Sequence, residues 1–86
     1  MSASSELSIV LPAHLHARPA GALVQAAARF SSTVEISYGD KTANARGVLA
    51  VMALGALAGA TVRLRAVGDD ADEAVTALAK LLATTE

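Results

Sequence analysis

The chain has no cysteine and almost no aromatic residues. Its 86 residues include no tryptophan and only Phe30 and Tyr38 as aromatic side chains. Without cysteine, disulfides and cysteine-based metal sites are excluded, which is typical of a cytoplasmic protein. Because 53% of the residues are hydrophobic, the core must consist of aliphatic side chains and alanine. The length suits one modest core, so we expect a single domain over residues 1–86.

The chain also lacks an excess of positive charge. Seven basic residues against eight acidic ones give a formal net charge of -1. Nucleic-acid binding usually needs a basic stripe or aromatic stacking platforms, so no nucleic-acid partner is expected. Residues 1–6 lack the basic region of a signal peptide. Residues 47–60 carry no charge, but this run is too short and too interrupted by glycine to insert into a membrane.

Hydrophobic spacing predicts seven elements in the order β-α-β-β-α-β-α. This order favours an α+β fold with helices on one face of an antiparallel sheet. Gly39-Asp40 indicates a tight turn between the second and third strands. Asp70 and Glu73 resemble a capping box at the start of the last helix. The predicted strands are 7–11, 34–38, 41–44 and 62–66, and the predicted helices are 17–29, 47–57 and 71–82.

The stretch around His16 carries the chemistry of the chain. A break at Pro12-Ala13 ends the first strand, and Pro19 suits the first turn of the helix that follows. We therefore expect His16 at or next to the helix N-cap, where backbone N–H groups favour an anion and disfavour an imidazolium. A neutral imidazole there can accept a phosphoryl group, whose oxygens the Arg18 guanidinium would bind. The alternative is that His16 only caps the helix.

His14 and His16 also form an H-x-H pair, a pattern that can bind zinc, copper or nickel. No cysteine or carboxylate lies nearby in the sequence to complete such a site. We therefore expect no physiological metal site in this stretch.

Two segments carry a resemblance to a known family. Leu15-His16-Ala17-Arg18-Pro19-Ala20 resembles the active-site signature of HPr, the histidine phosphocarrier of the bacterial sugar phosphotransferase system. Residues 41–55, KTANARGVLAVMALG, are similar to the second landmark of that family. The resemblance extends over essentially the whole chain. It implies an HPr-like open-faced sandwich with four antiparallel strands in the order 1-4-2-3 and three helices on one face.

The resemblance also implies a function. His16 would accept a phosphoryl group from phospho-enzyme I and pass it to a histidine of a sugar-specific enzyme IIA domain, while Arg18 steadies the phosphate. The chain would then be a monomeric cytoplasmic carrier with a phosphohistidine intermediate rather than a stand-alone enzyme. Such a carrier needs no metal and no organic cofactor.

A docking surface for the partners is implied around His16. The second predicted helix is apolar almost all round, and a short helix beside a sheet cannot bury every face. The alternative is that this helix lies wholly in the core. The residues expected to contact partners are Leu15, Ala20, Val48, Leu49, Val51 and Met52.

Three positions depart from the family pattern. His14 stands where the family usually has glycine, and a left-handed backbone there would be strained. Pro12-Ala13 replace the more polar residues that are common in that loop. Gly47 replaces the regulatory serine that many members carry at the start of the second helix, so no regulatory serine is expected in this chain.

Other functions share this scaffold. HPr-like domains also serve dihydroxyacetone phosphorylation and nitrogen-linked regulatory phosphotransferase chains, and the signature does not separate these branches from sugar uptake. Some HPr-like regulators act by docking alone. We expect such regulators to lack the acceptor histidine, whereas His16 is present here.

Overall fold

The computed structural model describes residues 3–84, which form four strands and three helices. The strands pair antiparallel in the order β1-β4-β2-β3. This arrangement confirms the predicted α+β architecture and the strand order that the resemblance implies. The strands are β1 (Ser4–Val10), β2 (Thr33–Tyr38), β3 (Lys41–Asn44) and β4 (Thr61–Val67), and the helices are α1 (Ala17–Ala27), α2 (Val48–Met52) and α3 (Ala71–Ala83).

The sheet has one buried face and one open face. Along β4, Val62, Leu64 and Ala66 are buried, while Arg63 and Arg65 between them are exposed. This alternation follows from the period of two in a strand. The helices cover the buried face, so the arginines lie on the side of the sheet away from them.

The core is aliphatic, as the composition predicts. Phe30 and Tyr38 are only partly buried and pack at its margin. Helix α3 buries one apolar stripe, which confirms the predicted spacing of Ala71, Ala74, Val75, Leu78 and Leu82. The large apolar side chains that are fully buried include Leu11, Leu23, Ile36, Leu64, Leu78 and Leu82.

The prediction of a long second helix is wrong. Helix α2 ends at Met52, five residues before the predicted end. Gly55 has a φ of +69°, a left-handed conformation that ends a helix and that glycine adopts without a steric penalty. The chain then turns Leu54 and Ala56 into the core. Helix α1 is also shorter than predicted, because its backbone tightens into a turn after Ala27.

The predicted capping box at the start of α3 is also wrong. Asp70 is the N-cap residue, but its carboxylate makes no capping hydrogen bond. Instead it accepts hydrogen bonds from the hydroxyl of Ser32 and from the backbone N–H groups of Ser31 and Ser32, the last two at 2.9 Å. The Ser32 hydroxyl, followed by these backbone donors, holds the pKa of Asp70 below its usual value. Asp70 thus connects the loop after α1 to the start of α3.

Across residues 3–84, no helix combines the length and the apolar character that a membrane-spanning segment requires.

Candidate functional site

The loop before His16 is held in place by backbone hydrogen bonds to the segment that follows α2. Leu11 exchanges two bonds with this segment: its N–H donates to the carbonyl of Ala60 at 2.9 Å, and its carbonyl accepts from Gly59 at 2.8 Å. Four residues later, the N–H of Leu15 donates to the carbonyl of Ala56 at 3.0 Å. The side chains of Leu11 and Leu15 are buried. The loop is therefore anchored just before His16.

His16 is the N-cap of α1, which confirms its predicted place. Its backbone is extended, with φ -85° and ψ -168°, and its carbonyl accepts from Ala20 at 3.1 Å. The Nδ1 atom accepts a hydrogen bond from the backbone N–H of Arg18 at 3.3 Å. The tautomer that fits this bond has its ring proton on Nε2 and the lone pair on Nδ1. The lone pair of Nδ1 therefore points at the positive end of the helix.

Arg18 and Pro19 follow His16 in the first turn of α1. The side chain of Arg18 is exposed, whereas Pro19 is buried against the core. The first turn contains no acidic residue. Arg18 therefore adds a cation to the first turn of a helix whose free N–H groups already favour an anion.

His14 lies beside His16. The centroids of the two imidazole rings are 4.5 Å apart and their planes are tilted by 48°. The side chain of His14 is exposed. Among the described residues, every residue with a positive φ is a glycine. The loop thus accommodates histidine at this position without a left-handed backbone.

The expected docking surface needs correction at three residues. Leu15 is only 4% exposed, and Ala20 and Val51 are 0% exposed. Leu15 and Ala20 flank the N-terminus of α1 and face inward, and Val51 lies on the inner side of α2. None of the three is accessible to a partner in this conformation.

The other three residues of that surface are accessible. Leu49 is 82% exposed, and Val48 and Met52 are partly buried. Positions 48, 49 and 52 lie on one side of a helix, because residues three and four apart are neighbours on its surface. We call Val48, Leu49 and Met52 the exposed α2 surface. The view that α2 lies wholly in the core is wrong.

Leu57 is a further exposed leucine that the sequence analysis did not single out. It is 64% exposed and lies in the segment that holds the loop before His16. The sequence analysis missed Leu57 because it placed this residue at the end of a helix over residues 47–57. The glycine at position 55 was the available signal that the helix ends earlier.

No metal centre is apparent within residues 3–84, where no three histidine, cysteine, aspartate or glutamate side chains come close enough to hold an ion. Within the described part of the chain, no third side chain of these types completes a metal site with His14 and His16.

A four-stranded open-faced sandwich with a histidine as the N-cap of its first helix defines a class, the HPr-like phosphocarrier domains. The comparisons with known proteins agree with this classification. The family model described as "PTS HPr component phosphorylation site" matches residues 3–84. The chain belongs to the HPr family, as the sequence motifs indicate.

Individual relatives match along most of the chain. The phosphocarrier protein HPr of Lysinibacillus sphaericus is 38% identical over 79 residues, which cover 92% of this chain and 90% of that protein. The crystal structure of HPr from Bacillus anthracis has a TM-score of 0.82 at 33% identity, covering 94% of this chain and 96% of that one. The solution structure of Crh, the catabolite repression HPr of Bacillus subtilis, has a TM-score of 0.79 at 33% identity, covering 98% and 100%.

Proposed function

We propose that the chain is a phosphocarrier in which His16 accepts a phosphoryl group from phospho-enzyme I and passes it to a histidine of an enzyme IIA domain. Membership of the HPr family supports the carrier role in the phosphotransferase system. The observation that carries the choice of residue is the 3.3 Å contact between Nδ1 of His16 and the backbone N–H of Arg18. It places a nucleophilic lone pair at the end of a helix, where an anionic product is stabilised.

The transfer step follows from this geometry. The lone pair of Nδ1 attacks phosphorus and forms the P–N bond, while the bond between phosphorus and enzyme I breaks and its electron pair leaves with enzyme I. Nε2 keeps its proton, and the positive charge that the ring gains is offset by the phosphoryl oxygens. The N–H of Arg18, which bonds to Nδ1 before transfer, is then available to a phosphoryl oxygen. Transfer to enzyme IIA reverses these steps.

Arg18 makes a second contribution to phosphoryl transfer, because it binds the phosphoryl oxygens. Its exposed side chain begins in the first turn of α1, two residues from His16. A guanidinium matches the geometry of phosphate oxygens and keeps its charge at every physiological pH. Arg18 therefore steadies the phosphoryl group on His16 and leaves it open to the next partner.

The exposed α2 surface is the docking site for enzyme I and enzyme IIA. Helix α2 packs against α1, whose N-cap is His16. The surface offers apolar side chains without any charged residue between positions 47 and 62. A small apolar patch suits partners that must bind briefly and then separate.

The carrier works as a monomer in the cytoplasm and needs no metal or organic cofactor of its own. The branch that it serves, sugar uptake, dihydroxyacetone phosphorylation or a nitrogen-linked chain, depends on which enzyme I and acceptor recognise the exposed α2 surface. Presence of the acceptor histidine argues against a regulator that acts by docking alone.

Intact mass measurement tests this proposal. Incubation with phosphoenolpyruvate and a bacterial enzyme I should add one phosphoryl group, and acid should remove it, because a P–N bond hydrolyses in acid. His16→Ala should abolish the gain, whereas His14→Ala should retain it. Full labelling of His16→Ala would exclude His16 as the acceptor, and an unlabelled wild-type protein would contradict the carrier function.

A further inference from the structure

His14 lies in the loop before His16 and carries an imidazole that the proposed transfer does not use. Its imidazole contacts the ring of His16 at a centroid distance of 4.5 Å. Its carbonyl also accepts the N–H of His16 at 3.0 Å. Two contacts, one from the ring and one from the backbone, thus join His14 to the acceptor residue. The exposed face of His14 remains in contact with solvent.

The elements that hold this ring pair carry no acidic side chain. The loop is contacted by residues 56–60 and leads into α1. Residues 47–62 contain no titratable side chain, and the first turn of α1 contains no acidic residue. On these elements, the groups that can carry charge near His14 are His16 and Arg18. A phosphoryl group brings negative charge to this site, and no carboxylate of these elements repels it.

We propose that His14 is a positioning residue for phosphoryl transfer, whose ring holds the imidazole of His16 in the orientation that presents Nδ1. The inference rests on the proposed function of His16. It concerns the residue that replaces a glycine usual in the family, so it describes a property of this chain rather than of the common scaffold.

The ring contact restricts the side chain of His16. The hydrogen bond from the N–H of Arg18 directs Nδ1 towards the helix, but at 3.3 Å it is long and leaves the ring some freedom to rotate. A tilted aromatic neighbour limits the rotation of the ring and favours the conformer in which Nδ1 faces the helix. Less reorientation is then needed when the donor arrives.

Three variants test the ring contact in transfer from phospho-enzyme I, measured in single turnovers. His14→Phe keeps an aromatic ring without a titrating group, His14→Gln keeps a polar side chain without the ring, and His14→Ala removes both. Arg63→Gln, on the open face of the sheet, is the control for a surface change away from the site.

We expect His14→Ala and His14→Gln to transfer about two- to tenfold more slowly than the wild type, the value of one aromatic contact. His14→Phe, which keeps an aromatic ring against His16, should match the wild type. Arg63→Gln should also match the wild type.

The outcomes are distinguishable. Labelled wild-type protein with His14→Ala and His14→Gln at the wild-type rate, or with His14→Phe as slow as His14→Ala, would overturn this inference and leave the proposed function intact. An unlabelled wild-type protein would overturn both. Nuclear magnetic resonance of the His16 ring protons provides a readout without enzyme I: their chemical shifts should change in His14→Ala and His14→Gln, because the neighbouring ring is lost, and change less in His14→Phe. Equal shifts in the wild type and His14→Ala would contradict the ring contact.

Discussion

The N–H of Leu15 donates to the carbonyl of Ala56 at 3.0 Å and joins the residue before His16, the proposed acceptor, to the segment that follows α2. This bond connects positions that are about 40 residues apart in the chain. It therefore ties the His16 loop to the segment next to the exposed α2 surface, the proposed docking site. We make five predictions from this region, from the sequence of α2 and from the core.

Arg18→Ala should slow transfer from phospho-enzyme I without unfolding the protein. The guanidinium is exposed, so its removal disturbs no packing. Loss of one charge-assisted contact to the phosphoryl group should lower the single-turnover rate about ten- to a hundredfold. Arg18→Lys should recover part of the rate, because it restores charge without the planar fork. Circular dichroism checks the fold, and unchanged transfer kinetics would remove Arg18 from the site.

Leu49→Glu should weaken binding to enzyme I with little loss of stability. Its side chain is 82% exposed, whereas that of Val51 on the same helix is 0% exposed. Val51→Ala should therefore lower the free energy of unfolding by about 2 kcal/mol. Ala77→Glu, at an exposed position of α3, adds the same charge as a control. Titration calorimetry and thermal melts measure both effects, and equal binding by Leu49→Glu and Ala77→Glu would exclude α2 as the docking surface.

An HPr kinase should not modify this protein. Gly47, the N-cap of α2, stands where the family resemblance implies a regulatory serine, and glycine has no hydroxyl. Thr42 and Thr61 lie in strands rather than at that helix end. Incubation with the kinase and labelled ATP, followed by peptide mapping, should give no acid-stable label. Stoichiometric label on any serine or threonine of the wild type would contradict the prediction.

Gly47→Ser is the matched variant for this assay. A Cβ at Gly47 would lie 3.4 Å from that of Ala50 and 3.7 Å from the carbonyl of Asn44, so serine fits without displacing either. Serine is also a favourable N-cap. The variant should fold as the wild type does and gain acid-stable label. Folded Gly47→Ser without label would mean that other features of the chain also prevent recognition by the kinase.

Asp70→Asn should lower the melting temperature most at neutral pH. Hydrogen bonds from Ser32 and Ser31 depress the pKa of Asp70 in the folded state. A depressed folded pKa contributes stability above the unfolded value, near 3.8, and this contribution is lost as the pH falls through the folded pKa. The difference between wild type and variant should therefore shrink from pH 7 towards pH 3. The exposed neighbour Asp69 provides the control Asp69→Asn, and an equal effect of both variants at every pH would contradict the assignment.

Gly68→Ala should destabilise the protein, whereas Gly21→Ala should stabilise it. Gly68 has a φ of +149°, and a Cβ there would lie 2.7 Å from the Cα of Ser32. Backbone strain and this clash should lower the free energy of unfolding by about 2 kcal/mol. Gly21 lies within α1 with nothing within 4 Å of its added Cβ, and alanine there should add about 0.5–1 kcal/mol. Chemical denaturation measures both, and a neutral Gly68→Ala would show that the loop at Ser32 can yield.

Local features of the chain were determined by its sequence. The break at Pro12 and the position of Pro19 set the start of α1, and hence His16 as its N-cap. Gly39 forms the turn between β2 and β3 with a φ of +61°. The alternation in β4 gives its buried and exposed sides. Each of these depends on residues only a few positions apart, which is why spacing alone predicts it.

Features that join distant segments were decided by the tertiary structure. Spacing did not show that Asp70 binds Ser32 rather than capping α3, that Val51 turns inward while Leu49 turns outward, or that the carbonyl of Ala56 holds Leu15. The order of the strands came from family resemblance, not from periodicity. In each case, burial and hydrogen bonding depend on which distant group competes for the same contact. That competition is resolved only when the sheet and helices pack together.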